Sequence, residues 1–221
     1  MIASLLRNLF RPGPQPGAAG VRRLHLGCGR DIRQGWINLD RHRLPGVDVV
    51  ADLDDCRKAP LPLPDGSIDE FLGSHVLEHL RDPLPFMQEL HRIASPGATA
   101  VFRLPYGSTD DADEDPTHVR RYFLNSFHYF SQLAYRSADY GYRGDWDTQG
   151  IALKVDAERH AGKSNPQLLE EIRSLRNVVM EMTVTLRAVK PARTPDAGEA
   201  PPIRITINRV TETQASDGGR Q

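Results

Sequence analysis

Apolar residues in the first half of the chain fall into short runs, and each run is closed by glycine, proline or an acidic residue. Residues 23–26, 36–39, 47–51, 68–73 and 99–104 read as strands on this pattern. Between the last two, Leu84, Met87, Leu90, His91, Ile93 and Ala94 recur at helical spacing and predict a helix with one buried face. Asp82 is placed to cap it, Pro83 suits its first turn, and Ser95-Pro96-Gly97 is expected to stop it. Strand, helix and strand in that order predict a right-handed parallel crossover.

The earlier connections are too short for the same arrangement. Only residues 30–35 separate the first glycine turn from Trp36, and only residues 41–46 separate Asp40 from the third strand. A parallel crossover ordinarily takes a dozen residues or more. Either the chain crosses tightly without full helices, or one early strand runs antiparallel. In both cases part of one sheet face lacks cover, which residues 1–10 or a second copy of the chain could supply.

Further on, residues 125–134 read as helical, with Phe127, Phe130 and Leu133 along one stripe. Residues 143–149 read as a polar loop and 151–155 as a strand. A helix is expected from Ser164-Asn165-Pro166 to about Leu175, and a closing strand over residues 178–189 with Met180, Met182, Val184 and Leu186 alternating. Residues 191–202 read as a flexible linker, and Ile203-Arg204-Ile205-Thr206-Ile207 as an edge strand before a disordered end. The reading therefore divides the chain into an N-terminal helix and linker (1–20), one α/β domain (21–190) and a C-terminal tail (191–221).

Composition narrows the function. A formal net charge of -1 over 221 residues gives no reason to expect binding along a phosphate backbone. Two cysteines, Cys28 and Cys56, do not make a secreted disulfide framework. Residues 1–10 are apolar, but they lack a basic segment ahead of the apolar stretch and a small-residue cleavage site. They read as a short helix packed on the domain, with weak membrane-surface contact as the alternative, and a cytoplasmic location follows.

The chemistry concentrates where the strands end. Leu24-His25-Leu26-Gly27-Cys28-Gly29 closes the first strand in two glycines, where a ligand can approach the backbone closely. Trp36-Ile37-Asn38-Leu39-Asp40 closes the second in a carboxylate, which can accept hydrogen bonds from a ribose diol. Arg30, Asp31 and Ile32 follow Gly29, so the third small residue of a dinucleotide fingerprint is missing. Ala51-Asp52-Leu53 follows the third strand, and Gly73-Ser74-His75-Val76-Leu77-Glu78-His79-Leu80 the fourth.

With these pieces in this order, the chain resembles the class I S-adenosylmethionine-dependent methyltransferases, in the branch that carries an LEHL segment after the fourth strand. The resemblance covers residues 23–104 and continues more weakly through Asp115-Pro116-Thr117-His118 and Phe123-Leu124-Asn125-Ser126-Phe127 to the closing strand. It implies a Rossmann-like, mostly parallel twisted α/β sheet with helices on both faces, reduced beside the first strands, and an antiparallel closing strand. It implies S-adenosyl-L-methionine as cofactor, with Gly27, Cys28 and Gly29 under the methionine part, Asp40 on the ribose, Asp52 on the adenine amino group and Leu53 against the ring. Ser74 and His75 would face the reacting end, and residues 115–121 would lie toward the acceptor.

The expected acceptor is a small molecule or a sugar hydroxyl, which must lose a proton. His118 is the first candidate base and His75 the second. Glu78, His79 and Leu80 read first as a cap and packing at the strand-to-helix junction. The same segment also fits the H-x-x-E-H pattern of inverted zinc peptidases, which makes a metal-dependent hydrolase one alternative. A non-catalytic module that keeps the fold is another. No third ligand is identifiable in the sequence, so no metal site is assigned. The acidic run Thr109-Asp110-Asp111-Ala112-Asp113-Glu114-Asp115 reads as a solvated loop. Nucleic acid and stable membrane insertion are not expected as partners, and a homodimer is compatible with the thin cover over the early strands.

Overall fold

The computed structural model describes residues 20–136, 139–195, 198 and 201–211. Among the described residues the eight strands are β1 (Arg23–Leu26), β2 (Ile37–Asp40), β3 (Val49–Val50), β4 (Ile68–Ser74), β5 (Ala94–Pro105), β6 (Trp146–Asp156), β7 (Glu181–Ala188) and β8 (Arg204–Val210). They form one sheet in the order β3-β2-β1-β4-β5-β7-β6-β8. β1 to β5 are mutually parallel. β7 is inserted antiparallel between β5 and β6, and β8 joins the outer edge parallel to β6. This is the mostly parallel α/β sheet with an antiparallel closing strand that the resemblance implies.

The early crossovers are parallel and tight, so the antiparallel alternative does not hold. No helix lies between β1 and β2 or between β2 and β3. Two loops do that work instead. The Asn38 side chain accepts from the Arg33 amide at 2.9 Å and donates to the Arg33 and Trp36 carbonyls, which ties the first loop over β2. The Asn38 amide donates to Asp48 Oδ2 at 2.8 Å, and the Asp48 amide returns a bond to the Asn38 carbonyl, which ties the second. The loops also pack on each other: a Cβ on Gly46, at φ +88°, would stand 2.7 Å from Ile32 Cγ1. His25 and Asn38, on the face expected to be thinly covered, are consequently 2% and 3% exposed. Farther along the sheet Leu72, Val101, Thr183 and Thr185 stay partly exposed, although parallel sheets are generally covered on both faces. Residues 1–10, expected to help there, lie outside the described residues.

The opposite face holds the core. Leu24, Leu26, Phe71, Ala100, Phe102, Leu104, Met182, Val184 and Leu186 alternate along it and are buried. The first helix, α1 (Pro83–Ile93), contributes Phe86, Met87, Leu90 and Ile93, with Phe86 edge-on to Phe102. Its Asp82 makes no cap bond and instead pairs with Arg57 at 2.6 Å. Ser95, Pro96 and Gly97 do not form a separate stop, because β5 begins at Ala94 directly after the helix. After the four-residue turn α2 (Asp111–Glu114), the stripe of Phe127, Phe130 and Leu133 is buried, but on two short 3₁₀ segments, Ser126–Phe130 and Gln132–Arg136, rather than one α-helix. The helix α3 (Asn165–Ser174) opens with a capping box between Ser164 and Gln167.

Two expectations fail for one electrostatic reason. β6 begins at Trp146, inside the stretch read as loop, and Arg193, inside the stretch read as linker, is pinned against it. The fully buried Asp145 receives the Arg193 amide and guanidinium at 2.8–2.9 Å and the Gln132 amide at 3.1 Å. Arg193 also reaches Asp147 and Ser131. Burial alone would raise the Asp145 pKa, but these bonds hold it below the usual carboxylate range. Removing one member of a buried pair strands the other's charge. Arg193→Ala is therefore expected to destabilise the fold by about 3–5 kcal/mol in urea unfolding. A loss near zero would mean that the segment after β7 is not held this way.

Candidate active site

Because β1 to β5 are parallel, their carboxyl ends share one edge, and the strand order reverses between β1 and β4. Ligands of open α/β sheets bind outside such a switch point. Gly27, Asp40, Asp52 and His75 all stand at this edge, at the last residue of β1, β2, β3 and β4 or within two residues after it.

The glycine turn is held by the acid of the next strand. Asp40 Oδ2 accepts the Gly29 amide at 2.8 Å and its Oδ1 accepts the His42 amide at 2.8 Å, while the Cys28 amide donates to the Leu39 carbonyl. A carboxylate offers about four lone-pair sites, so Asp40 keeps acceptor capacity beyond these two bonds. Gly27 has φ +59°, and a Cβ there would meet Val76 Cγ2 at 2.6 Å. Gly29 has nothing within 4 Å of its would-be Cβ, so the turn is open at that point. An open backbone turn beside an acid with spare lone pairs fits an adenosyl ligand. The Cys28 thiol is buried, and burial together with Asp40 pushes its pKa up to about 11, which makes it a packing group.

Asp52 caps the short turn Leu53–Asp55 by accepting the Asp54 amide, and its other oxygen lies 3.4 Å from Arg41. Its side chain is 39% exposed, so it remains reachable. Leu53, by contrast, is 7% exposed and sits in the core cluster beneath Asp52, rather than presenting an open face to a ring.

His75 follows β4 with φ +54°, an unusual conformation for a residue with a side chain. Its ring lies between two acids, with Nε2 3.5 Å from Glu181 and Nδ1 3.1 Å from Glu78. Hydrogen bonds to Glu181 and Glu78 outweigh burial and raise its pKa to about 9. It is thus protonated near neutrality and is no proton acceptor there, which removes the second candidate base. Arg103 in turn forks onto both oxygens of Glu181 at 3.1 Å. Neither Arg103 nor Glu181 stands out in the sequence. The only clue is that an acid opens an otherwise apolar alternation in β7, opposite the end of β5.

The H-x-x-E-H segment is not helical. His75 ends a strand, and Leu77–His79 forms a 3₁₀ turn, so the two histidines do not share a helix face as the zinc-peptidase pattern requires. Instead the chain after α2 folds back on that turn: the Val119 and Arg120 amides donate to the Glu78 carbonyl at 2.9 and 3.1 Å. This brings His118 beside His79, with ring centroids 4.8 Å apart. Of the aromatics in the chain that follows β5, Tyr106, Tyr122 and Phe127 are buried, whereas Phe123 and Tyr129 are exposed. Past the end of β5, Tyr106 and Phe123 help line a hollow of about 420 Å³ with Ile172, Arg173 and Ile205.

The chain is similar to known proteins over part of its length. Residues 19–102 match the family model of a methyltransferase domain. A probable S-adenosylmethionine-dependent methyltransferase of Mycolicibacterium smegmatis is 31% identical over 123 residues, covering 46% of each chain. Ajmaline N-methyltransferase of Rauvolfia serpentina is 30% identical over 87 residues, covering 35% of this chain and 30% of that one. Among solved structures, an S-adenosylmethionine-dependent methyltransferase from Mesorhizobium loti superposes with a TM-score of 0.48 at 18% identity, covering 76% of this chain and 91% of that one. The chain spans less than half the length of the curated relatives it matches. Residues 19–102 are thus similar to a methyltransferase domain, and one relative matched over part of this chain is described as S-adenosylmethionine-dependent. No helix among the described residues is long and apolar enough to cross a membrane.

The turn geometry makes a comparative prediction. Gly27→Ala must absorb both a left-handed backbone and the Val76 contact, and is expected to cost about 2–4 kcal/mol in urea unfolding. Gly29→Ala faces only the backbone term, about 1–2 kcal/mol. Equal losses would contradict the packing of Gly27 on Val76.

Proposed function

We propose that this protein moves a methyl group from S-adenosyl-L-methionine to a hydroxyl oxygen of a small molecule or sugar. The observation that carries the reading is the convergence of the glycine turn, Asp40 and Asp52 on the carboxyl ends of three adjacent parallel strands at the switch point. In this reading Gly27, Cys28 and Gly29 lie under the methionine part of the cofactor. Asp40 accepts from the ribose hydroxyls with its remaining lone pairs, and Asp52 accepts from the adenine amino group.

S-adenosyl-L-methionine, when bound, supplies an electrophilic methyl group on a sulfonium. Most of the gain available to the protein is orientation of the acceptor oxygen in line with that group. Ser74 and the His75 backbone border the reacting end. The charged His75, clamped by Glu181 and Glu78, holds the strand tip in its strained conformation. His118 takes the acceptor proton. Its Nδ1 lies 2.9 Å from the Asp111 carbonyl, which can only accept, so Nδ1 carries the proton and Nε2 the lone pair.

Calorimetry with S-adenosylmethionine and S-adenosylhomocysteine tests the reading. Micromolar-range binding is expected to both, weakened about tenfold or more by Asp40→Ala, which removes the ribose acceptor. Heat from neither compound at saturating concentration, with the protein folded by circular dichroism, would overturn it.

A further inference from the structure

The fold brings together three side chains that the sequence keeps apart. One donor atom from each of Glu78, His79 and His118 lies within 4.8 Å of the others. Glu78 is 2% exposed. Its Oε1 faces His75 Nδ1, but its Oε2 is buried without any hydrogen-bond partner. A buried polar atom left in that state ordinarily costs about 1–3 kcal/mol.

The hydrogen bonds around the two histidines decide which nitrogens are free. The Thr117 hydroxyl gives its proton to Asp115 Oδ1 at 2.6 Å, so toward His79 Nδ1, 3.1 Å away, it can only accept. The Thr117 carbonyl, 3.3 Å from the same nitrogen, is also an acceptor. His79 Nδ1 is therefore an N–H. The Asp111 carbonyl imposes the same tautomer on His118. In the neutral rings both Nε2 atoms then carry lone pairs, each ring fixed by an Nδ1–H to a carbonyl, which is the usual outer-shell arrangement of metal-binding histidines. Glu78 Oε2, His79 Nε2 and His118 Nε2 are then all acceptors, with no proton among them. Asp115 Oδ2, 3.7 Å from His118 Nε2, adds further negative charge at the rim.

We propose that Glu78, His79 and His118 bind one divalent transition-metal cation. Two imidazoles and one carboxyl oxygen suit Zn²⁺, Fe²⁺, Co²⁺ or Mn²⁺, and three protein ligands leave positions open for water or for an oxygen of a bound molecule. Metal bonds of about 2.0–2.2 Å set ligand spacings of roughly 3–3.5 Å, so binding draws the three groups closer than their present 4.8 Å. Glu78 and His79 thus act with a histidine from a distant loop rather than with His75, so this is a different site from the one the H-x-x-E-H pattern describes. One nitrogen cannot hold a cation and also accept a proton. In the loaded protein the cation would polarise the acceptor's oxygen in place of a His118 base, and the released proton would pass to solvent water. That last role rests on the methyltransferase reading, whereas cation binding does not.

The test uses the untagged full chain, stripped with a chelator and dialysed. Titration with Zn²⁺ by calorimetry is expected to show one equivalent bound per chain, and Co²⁺ to give a visible absorption band. His79→Ala and His118→Ala should each weaken Zn²⁺ binding about tenfold or more, with Glu78→Gln doing the same without a change in shape. His128→Ala, outside the cluster, should leave binding unchanged. Circular dichroism checks that each variant is folded, and S-adenosylhomocysteine binding, measured in parallel, should persist in all of them. No bound equivalent, or binding that is indifferent to all three ligand substitutions, would overturn the site. Loss of S-adenosylhomocysteine binding in the unsubstituted chain would instead count against the methyltransferase reading.

Discussion

The contact on which the site depends is the pair of backbone amides held by Asp40. One oxygen takes the Gly29 amide and the other the His42 amide, so a single side chain joins the turn after β1 to the end of β2. No helix follows β1 to hold that turn, as it would in a longer crossover. The glycines must adopt left-handed conformations, the backbone must stay open, and something must fix it there. A charged group accepting two amides at 2.8 Å does so at higher strength than neutral partners would. The same carboxyl is the group proposed to meet the ribose, so folding and binding make demands on one residue.

The two abbreviated crossovers show how such economy is possible. Asn38 takes the place of a helix as organiser of both loops, with side-chain bonds to the first and backbone bonds to the second. Ile32 against Gly46 supplies the apolar contact that a helix face would otherwise give. A network of this kind is strong only when every member is satisfied, and here the buried amide group of Asn38 finds partners for both its oxygen and its nitrogen.

Much of the fold was legible because it rests on period and spacing. The runs at β1, β2 and β4, the stripe of α1 and the alternation in β7 each follow from side-chain geometry alone. The placement of Gly27, Asp40 and Asp52 along one edge was legible because it follows from where the strands end. It was not legible where distant segments meet. Nothing local to Glu181 or Arg103 announces that they frame His75. The backbone bonds from Val119 and Arg120 to the Glu78 carbonyl, which carry His118 to His79, have no sequence signature. The segment around Arg193 failed for a related reason: its composition is that of a linker, and only the buried Asp145 across the sheet gives it a fixed place. Leu53 shows how position after a strand and apolar character pull together, since its side chain joins the core cluster next to Asp52.

The central claim is that the carboxyl edge around Gly29 and Asp40 receives an adenosyl group. A crystal structure of the full chain grown with S-adenosylhomocysteine tests it most directly. The account predicts the ribose beside the Asp40 carboxyl and the homocysteine portion over the Gly27–Gly29 turn. Ligand density elsewhere on the molecule, with that edge empty at saturating ligand, would contradict it.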